Sequence, residues 1–373
     1  MPRISHWILR RLSHLDGILL VLVLVLLGIS LAVIASASGQ SPARISGHLI
    51  NIGVALGVMV VFANIPPHLL SRVGPPLYVA GVVLLVAVAL FGEIRNGARR
   101  WLDMGFIAFQ PSELLKLALP LMLAWYFQRN EAVLSGKHYF VGALLLVVPF
   151  VLILRQPDLG TALMIGASGF YLLFFAGLPW KVILGGGALG AASLPVLWNF
   201  MHDYQQRRVL TLIDPTADPL GAGYHVMQSA IAIGSGGLFG KGWMEGSQTQ
   251  LDFIPERTTD FVFAVFGEEF GFAGAIVLVG LYLALVARGL VISARAPTLF
   301  GRLMAASLSL NLFAHAFVNM GMVAGILPVV GVPLPLMSYG GTALVTLLLG
   351  VGILMSVATH RQLNKTGGTR MWA

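Results

Sequence analysis

Long uninterrupted apolar runs dominate the chain, and polar residues gather in the short stretches between them. The runs fall near 15–38, 46–65, 75–91, 109–127, 138–154, 157–177, 180–200, 261–287, 303–327 and 340–359. Within Ile18–Ala35 or Leu344–Met355 the apolar residues follow one another rather than alternate, which predicts helices and not strands. About 20 apolar residues span a bilayer core, and a backbone in lipid must satisfy its own polar groups. The pattern predicts an all-α polytopic integral membrane protein, one domain over residues 1–373, with ten transmembrane helices. Between the seventh and eighth runs lies one long loop, about 201–259. Loops beyond roughly 12–15 residues are usually functional or disordered. This one carries Phe239, Trp243, Leu251, Phe253 and Ile254 beside glycine-rich stretches, which predicts amphipathic segments lying on the membrane surface over a site.

Composition supports this picture. Of 373 residues, 57% are hydrophobic and 10% charged, whereas a soluble domain carries about 25% charged residues. The sequence has no cysteine, which excludes disulfides, thiolate nucleophiles and cysteine metal sites. A net charge of +8 raises nucleic acid as a partner, but no basic run of five or more residues exists, and orientation charge explains the excess. Arg3, Arg10 and Arg11 precede the first run, and Ala35-Ser36-Ala37 ends it, as in a secretion signal. The apolar segment from Leu15 is longer than the roughly 7–15 residues of a signal core, so it reads as an uncleaved first span with its N-terminus inside.

On that topology the inner segments carry Arg72, Arg129, Lys137, Lys181, Arg288, Arg295, Arg302, Arg361, Lys365 and Arg370 as well. The short outward loops carry Arg44, Arg95, Arg99, Arg100 and Arg155, so basic residues favour the inside. Both termini are then cytoplasmic. Acidic residues run the other way: only Asp16 and Glu131 lie inward. Acids contribute little to orientation, so their skew points to chemistry on the outer side.

Four constellations could carry that chemistry. The first runs from Arg99-Arg100-Trp101 to Gln110-Pro111-Ser112-Glu113 and Lys116. Pro111 suits a first helical turn, and Glu113 and Lys116, three apart, share a face. They read either as an interfacial anchor with a self-neutralising pair, or as an anion site built on Arg100 and Lys116. The second, Arg155-Gln156-Pro157-Asp158-Leu159-Gly160, places Asp158 at a helix start, which the helix dipole alone would favour. The third, Ile254 through Asp260 to Phe263, leads on to Glu268-Glu269. Thr259 or Asp260 could cap a helix, but a cap leaves the buried acid pair unexplained. The fourth, Gly325 to Gly341, holds three prolines among apolar residues and predicts a re-entrant loop roofing a cavity. Gly234–Gly240 lacks the strand and spacing of a dinucleotide fingerprint, the histidines have no zinc spacing, and Gly185-Gly186-Gly187 predicts close helix packing.

In this order the motifs closely resemble the SEDS family (shape, elongation, division, sporulation) over essentially the whole chain. The most specific segments are Phe109–Glu113, Arg155–Gly160, Asp218–His225, Pro255–Phe261 and Pro335–Gly341. Thr258-Thr259 stands where a His-Thr pair is commoner. Ala222–His225 and Gly240–Trp243 favour the elongation branch over the division branch.

The resemblance implies a peptidoglycan glycosyltransferase of the bacterial cytoplasmic membrane that polymerises lipid II. It would act beside a class B penicillin-binding protein, within the elongation machinery and among membrane lipid. It names no certain cofactor and leaves a divalent cation open. With a polyprenyl pyrophosphate as leaving group, one base and nearby cations are sufficient machinery. Asp260 is the expected base. Phe253, Phe261 and Phe263 should raise its pKa, and Arg257 should oppose them. Arg100, Trp101, Gln110, Glu113, Lys116, Asp158, Arg207, Arg208, Thr259 and Ser338 form the expected substrate-binding set. The rival class is a lipid II flippase, since many spans, intramembrane charges and a broken helix also suit a transporter.

Overall fold

A computed structural model describes residues 15–95, 98–103, 108–156, 158–201, 203–218 and 221–368. Helices α1 (Gly17–Ala37), α2 (Pro42–Ala63) and α3 (Pro67–Phe91) come first. Three short strands follow, β1 (Glu93–Arg95), β2 (Ala98–Asp103) and β3 (Ala108–Phe109). Helices α4 (Pro111–Arg129), α5 (Gly136–Leu154), α6 (Leu159–Phe175) and α7 (Trp180–Phe200) lead into the long connection. That connection is built from α8 (Asp203–Ile213), α9 (Ala222–Ser235) and α10 (Ser247–Gln250). Helices α11 (Val262–Ala294), α12 (Leu299–Val323) and α13 (Gly341–Gly368) complete the chain.

Each predicted run coincides with a helix, α1–α7 and α11–α13. Seven of these (α1, α2, α3, α5, α11, α12 and α13) are long and apolar enough to cross a membrane. Helix α4 is diluted by Glu113, Lys116, Gln128 and Arg129, and α6 has only 17 residues. The helix starts follow local chemistry. Asp16 and Asp158 accept from Leu19 N and Thr161 N, and Pro42, Pro67 and Pro111 occupy first turns. The wholly helical expectation needs one amendment. Strands β1–β2–β3 form an antiparallel meander between α3 and α4. Strands of two to six residues are too short to show a two-residue period in the sequence.

Helix α12 is the hub, packing against α11, α6, α4 and α13, while α2 lies along α13 and α3 along α4. Around this core the outward faces stay apolar, with Val21, Ile50, Val83, Leu90 and Phe140 all exposed. Such a surface suits lipid rather than water. Helix α7 lies at the margin with Leu184, Leu189, Leu194 and Val196 exposed, and a methyl group on Gly185, Gly186 or Gly187 would meet nothing within 4 Å. The predicted close packing at that triplet is therefore wrong, because α7 offers it no facing helix.

Two breaks in regular structure matter for the site. Residues 325–340 run as non-helical chain between α12 and α13, with Gly325, Gly331 and Leu336 at positive φ and Val330, Val332, Leu334, Leu336 and Met337 buried. Helix α11 is interrupted at Gly271 (φ 66°). The 237–242 turn satisfies the backbone groups freed there: Lys241 N and Gly242 N donate to Glu268 O and Glu269 O, and Phe272 N and Ala273 N donate to Gly237 O and Leu238 O. Gly240 permits this approach, since a Cβ would sit 2.0 Å from Glu269 O.

Candidate active site

The sequence pair Glu268-Glu269 ties the long connection to the helices. Glu268 is fully buried and receives Lys241 Nζ at 2.8 Å, Gln248 N at 2.9 Å and Thr249 N at 3.1 Å. Glu269 accepts from Ser36 Oγ and, at 3.2 Å, from Met244 N. The two acids clamp the 241–249 stretch onto α11 and α1.

Asp260 is placed differently. Helix α11 begins at Val262 with Phe261 at its cap position, so neither Thr259 nor Asp260 caps it. The backbone around Asp260 is held from the 325–340 segment. Asn319 Nδ2 donates to Asp260 O (2.8 Å) and to Val332 O (2.7 Å). Ser338 Oγ donates to Thr259 O at 2.6 Å and accepts from Leu334 N at 2.8 Å, and Tyr339 N donates to Thr258 O at 2.8 Å. Among the described residues, no side chain hydrogen-bonds the Asp260 carboxylate. Burial, then repulsion from Glu256, raise its pKa to about 6, while Arg208 opposes them. Arg257 does not play the opposing role expected of it. Its guanidinium turns away to Asp252, to Ala37 O at 2.5 Å and to Thr249 O at 2.7 Å. Phe253 is exposed, so of the three expected aromatics only Phe261 and Phe263 are buried.

The second cluster gathers around the start of α4. Lys116 Nζ meets Glu113 Oε1 at 2.5 Å, both side chains being mostly buried. They line a narrow cleft with Asn311, His315 and Pro333. Glu113 Oε2 and Asn311 Oδ1 are buried without a partner, so the cleft keeps unused hydrogen-bonding capacity. Asp158, while capping α6, also pairs with Arg100 at 3.7 Å and receives Gln110 Nε2 at 3.3 Å. Arg100 Nε further donates to Gln156 O at 3.3 Å.

The 325–340 segment joins the two clusters. Pro333 lines the Lys116 cleft, while Ser338 and Tyr339 hold the Asp260 turn. Gly160 lies so close that a Cβ would sit 2.5 Å from Val330 O, which accounts for glycine after Asp158-Leu159. Of the expected residues, Arg100, Gln110, Glu113, Lys116 and Asp158 gather around the starts of α4 and α6, whereas Thr259 and Ser338 of the segment itself join at the Asp260 turn, which Arg208 faces. Trp101 pairs with Glu93 across the small sheet, and Arg207 is exposed on α8. Asn311, His315 and Asn319 were missed, because one polar residue per turn in an apolar helix carries no motif. Among the described residues no group of three His, Cys, Asp or Glu is placed to hold a metal ion.

Fold and site together define a polytopic helical membrane protein with a carboxylate-and-cation site where its broken segments meet. The profile of the cell cycle protein family that groups FtsW, RodA and SpoVE matches residues 14–363. The chain belongs to this family, the SEDS family. It is 52% identical over 351 residues to the peptidoglycan glycosyltransferase MrdB of Escherichia coli K12, covering 94% of this chain and 95% of that protein. A solved chain described under structural coordination of polymerization and crosslinking by a peptidoglycan synthase complex superposes with a TM-score of 0.80 at 34% identity, covering 93% and 98%. The rod shape determining protein RodA of Thermus thermophilus superposes with a TM-score of 0.71 at 32% identity, covering 93% and 97%.

Proposed function

We propose that this peptidoglycan glycosyltransferase polymerises lipid II, with Asp260 as the base that activates the acceptor hydroxyl. The acceptor oxygen loses its proton to Asp260 and bonds the anomeric carbon of the donor. The bond from that carbon to the diphosphate breaks, and its electron pair leaves on the polyprenyl diphosphate. Lys116 from the cleft and Arg100 from beside Asp158 hold the departing charge, where low dielectric strengthens the attraction. The observation that carries this reading is the Asp260 carboxylate: fixed through its backbone, without a side-chain hydrogen bond among the described residues and raised to about 6, it is ionised yet basic near neutrality.

In this reading all ten long helices cross the bacterial cytoplasmic membrane, the termini are cytoplasmic and the site faces outward. The basic residues of the inward loops and the acids of the outward ones support that orientation. The partner is a class B penicillin-binding protein of the elongation machinery. Its single span packs on the apolar groove lined by Phe263, Phe313, Phe317 and Ile326. The identity to MrdB and the likeness to a rod shape determining protein favour the elongation branch over the division branch. Purified protein given lipid II should form glycan polymer, whereas vesicles should show no flipping of labelled lipid II. Flipping without polymer would overturn the proposal in favour of transport.

A further inference from the structure

The turn that leads to Asp260 lines a second, polar pocket through Ile254, Glu256, Arg257 and Thr258. Two guanidiniums line it, Arg44 from the first turn of α2 and Arg257 from the turn before α11. Their situations differ. Arg257 is neutralised by Asp252 and fixed by two backbone carbonyls. Arg44 donates to the neutral Thr258 Oγ1 at 2.9 Å and lies 6.0 Å from the Tyr339 ring centroid. Among the described residues it has no carboxylate partner. The other acid of the pocket, Glu256, accepts from Thr259 Oγ1 at 2.8 Å instead. The two cations sense each other, for Arg257 is pulled below the ordinary guanidinium value by burial and then by Arg44. An unpaired cation beside another cation, in a pocket with open volume, is the arrangement that an oxyanion stabilises.

We infer that Arg44 is a second anion-binding residue, which holds an oxyanion of the acceptor substrate beside Asp260. This rests on the glycosyltransferase reading and extends it. Transfer between two diphosphate-bearing chains needs an anion site on each side of the base. The Lys116 cleft serves the donor through Pro333, and Thr258 and Glu256 bring the Arg44 pocket within two to four residues of Asp260. The oxyanion is either the acceptor's diphosphate or a carboxylate of its peptide stem.

The test measures equilibrium binding to Asp260→Asn, Lys116→Met protein in nanodiscs, which stops turnover and weakens the donor cleft. Two probes are titrated, a lipid-linked disaccharide diphosphate with its full peptide stem and the same lipid with the stem removed. Arg44→Gln should weaken binding about tenfold, the scale of one lost charge-assisted hydrogen bond, with an unchanged thermal midpoint. Arg44→Lys should recover part of the loss. Weakening of both probes assigns the diphosphate, and weakening of the stem-bearing probe alone assigns the carboxylate. Unchanged affinity for both overturns the inference. Should Arg44→Gln fail to fold, the salt dependence of the Arg44-containing protein decides, because affinity that does not fall toward about 1 M salt contradicts an exposed ionic contact. Continued polymerisation by Asp260→Asn would overturn the base assignment and leave the binding result standing.

Discussion

Glu113 and Asp260 are carboxylates in two clusters joined by one broken segment, and the protein treats them in opposite ways. Glu113 is neutralised by Lys116 one helical turn away, and the pair together faces the cleft. Asp260 has its backbone tied by Asn319 while its carboxylate is left alone, with Glu256 adding repulsion. A half-buried carboxylate raised to about 6 is poised to take a proton near neutrality. The proposed division of labour, electrostatic work at Lys116 and proton transfer at Asp260, rests on this contrast.

The comparison breaks most sharply on Asp260→Asn, which keeps the size and removes the base. Polymerisation should fall by about 10²–10⁴-fold in a folded protein. Its stability should move the other way. Asp260 is raised above its ordinary 3.8, so the native state binds more protons than the unfolded state between that value and about 6, and its charge destabilises the native state above pH 6. The Asn variant should therefore melt no lower than wild type at pH 7.5, and any advantage should shrink as pH falls through 6.

On the other side, Lys116→Met should cost about 10²-fold in polymerisation, the scale of one lost donor to developing charge. Part of that loss would come from stranding Glu113, so Glu113→Gln, Lys116→Met separates the roles. If the double variant regains full activity the pair is structural, and if it stays impaired the cation acts on substrate. Lys241→Met sharpens the contrast from a third place, since Glu268 retains its backbone donors there. It should lower stability by about 3 kcal/mol or less, with a smaller effect on turnover than either site variant. The smallest effect on the isolated chain is expected from Phe317→Ala in the apolar groove, which should instead weaken stimulation by the penicillin-binding protein.

Much of this was legible before any coordinates. Ten long helices coincide with the ten apolar runs, and seven of them are long and apolar enough to cross a membrane. The broken segment follows from prolines and glycines that no helix tolerates in such number. Glu113–Lys116 contact follows from their three-residue spacing. What stayed hidden depends on direction rather than spacing. Arg257, three residues from Asp260, points elsewhere, while Arg208, in the preceding connection, supplies the opposing charge. The Glu268-Glu269 pair looked functional because buried acids are costly, and the backbone donors that reach Glu268 and one oxygen of Glu269 from a distant turn leave no trace in local sequence.

The central claim is that Asp260 titrates as the base under the opposing influence of Glu256 and Arg208. The pH dependence of single-turnover polymerisation by wild type, Glu256→Gln and Arg208→Gln tests it most directly. Wild-type activity should fall about tenfold per unit below a midpoint near pH 6, with the midpoint lower in Glu256→Gln and higher in Arg208→Gln. A wild-type profile flat through pH 6, or midpoints that move together in the two variants, would contradict the account.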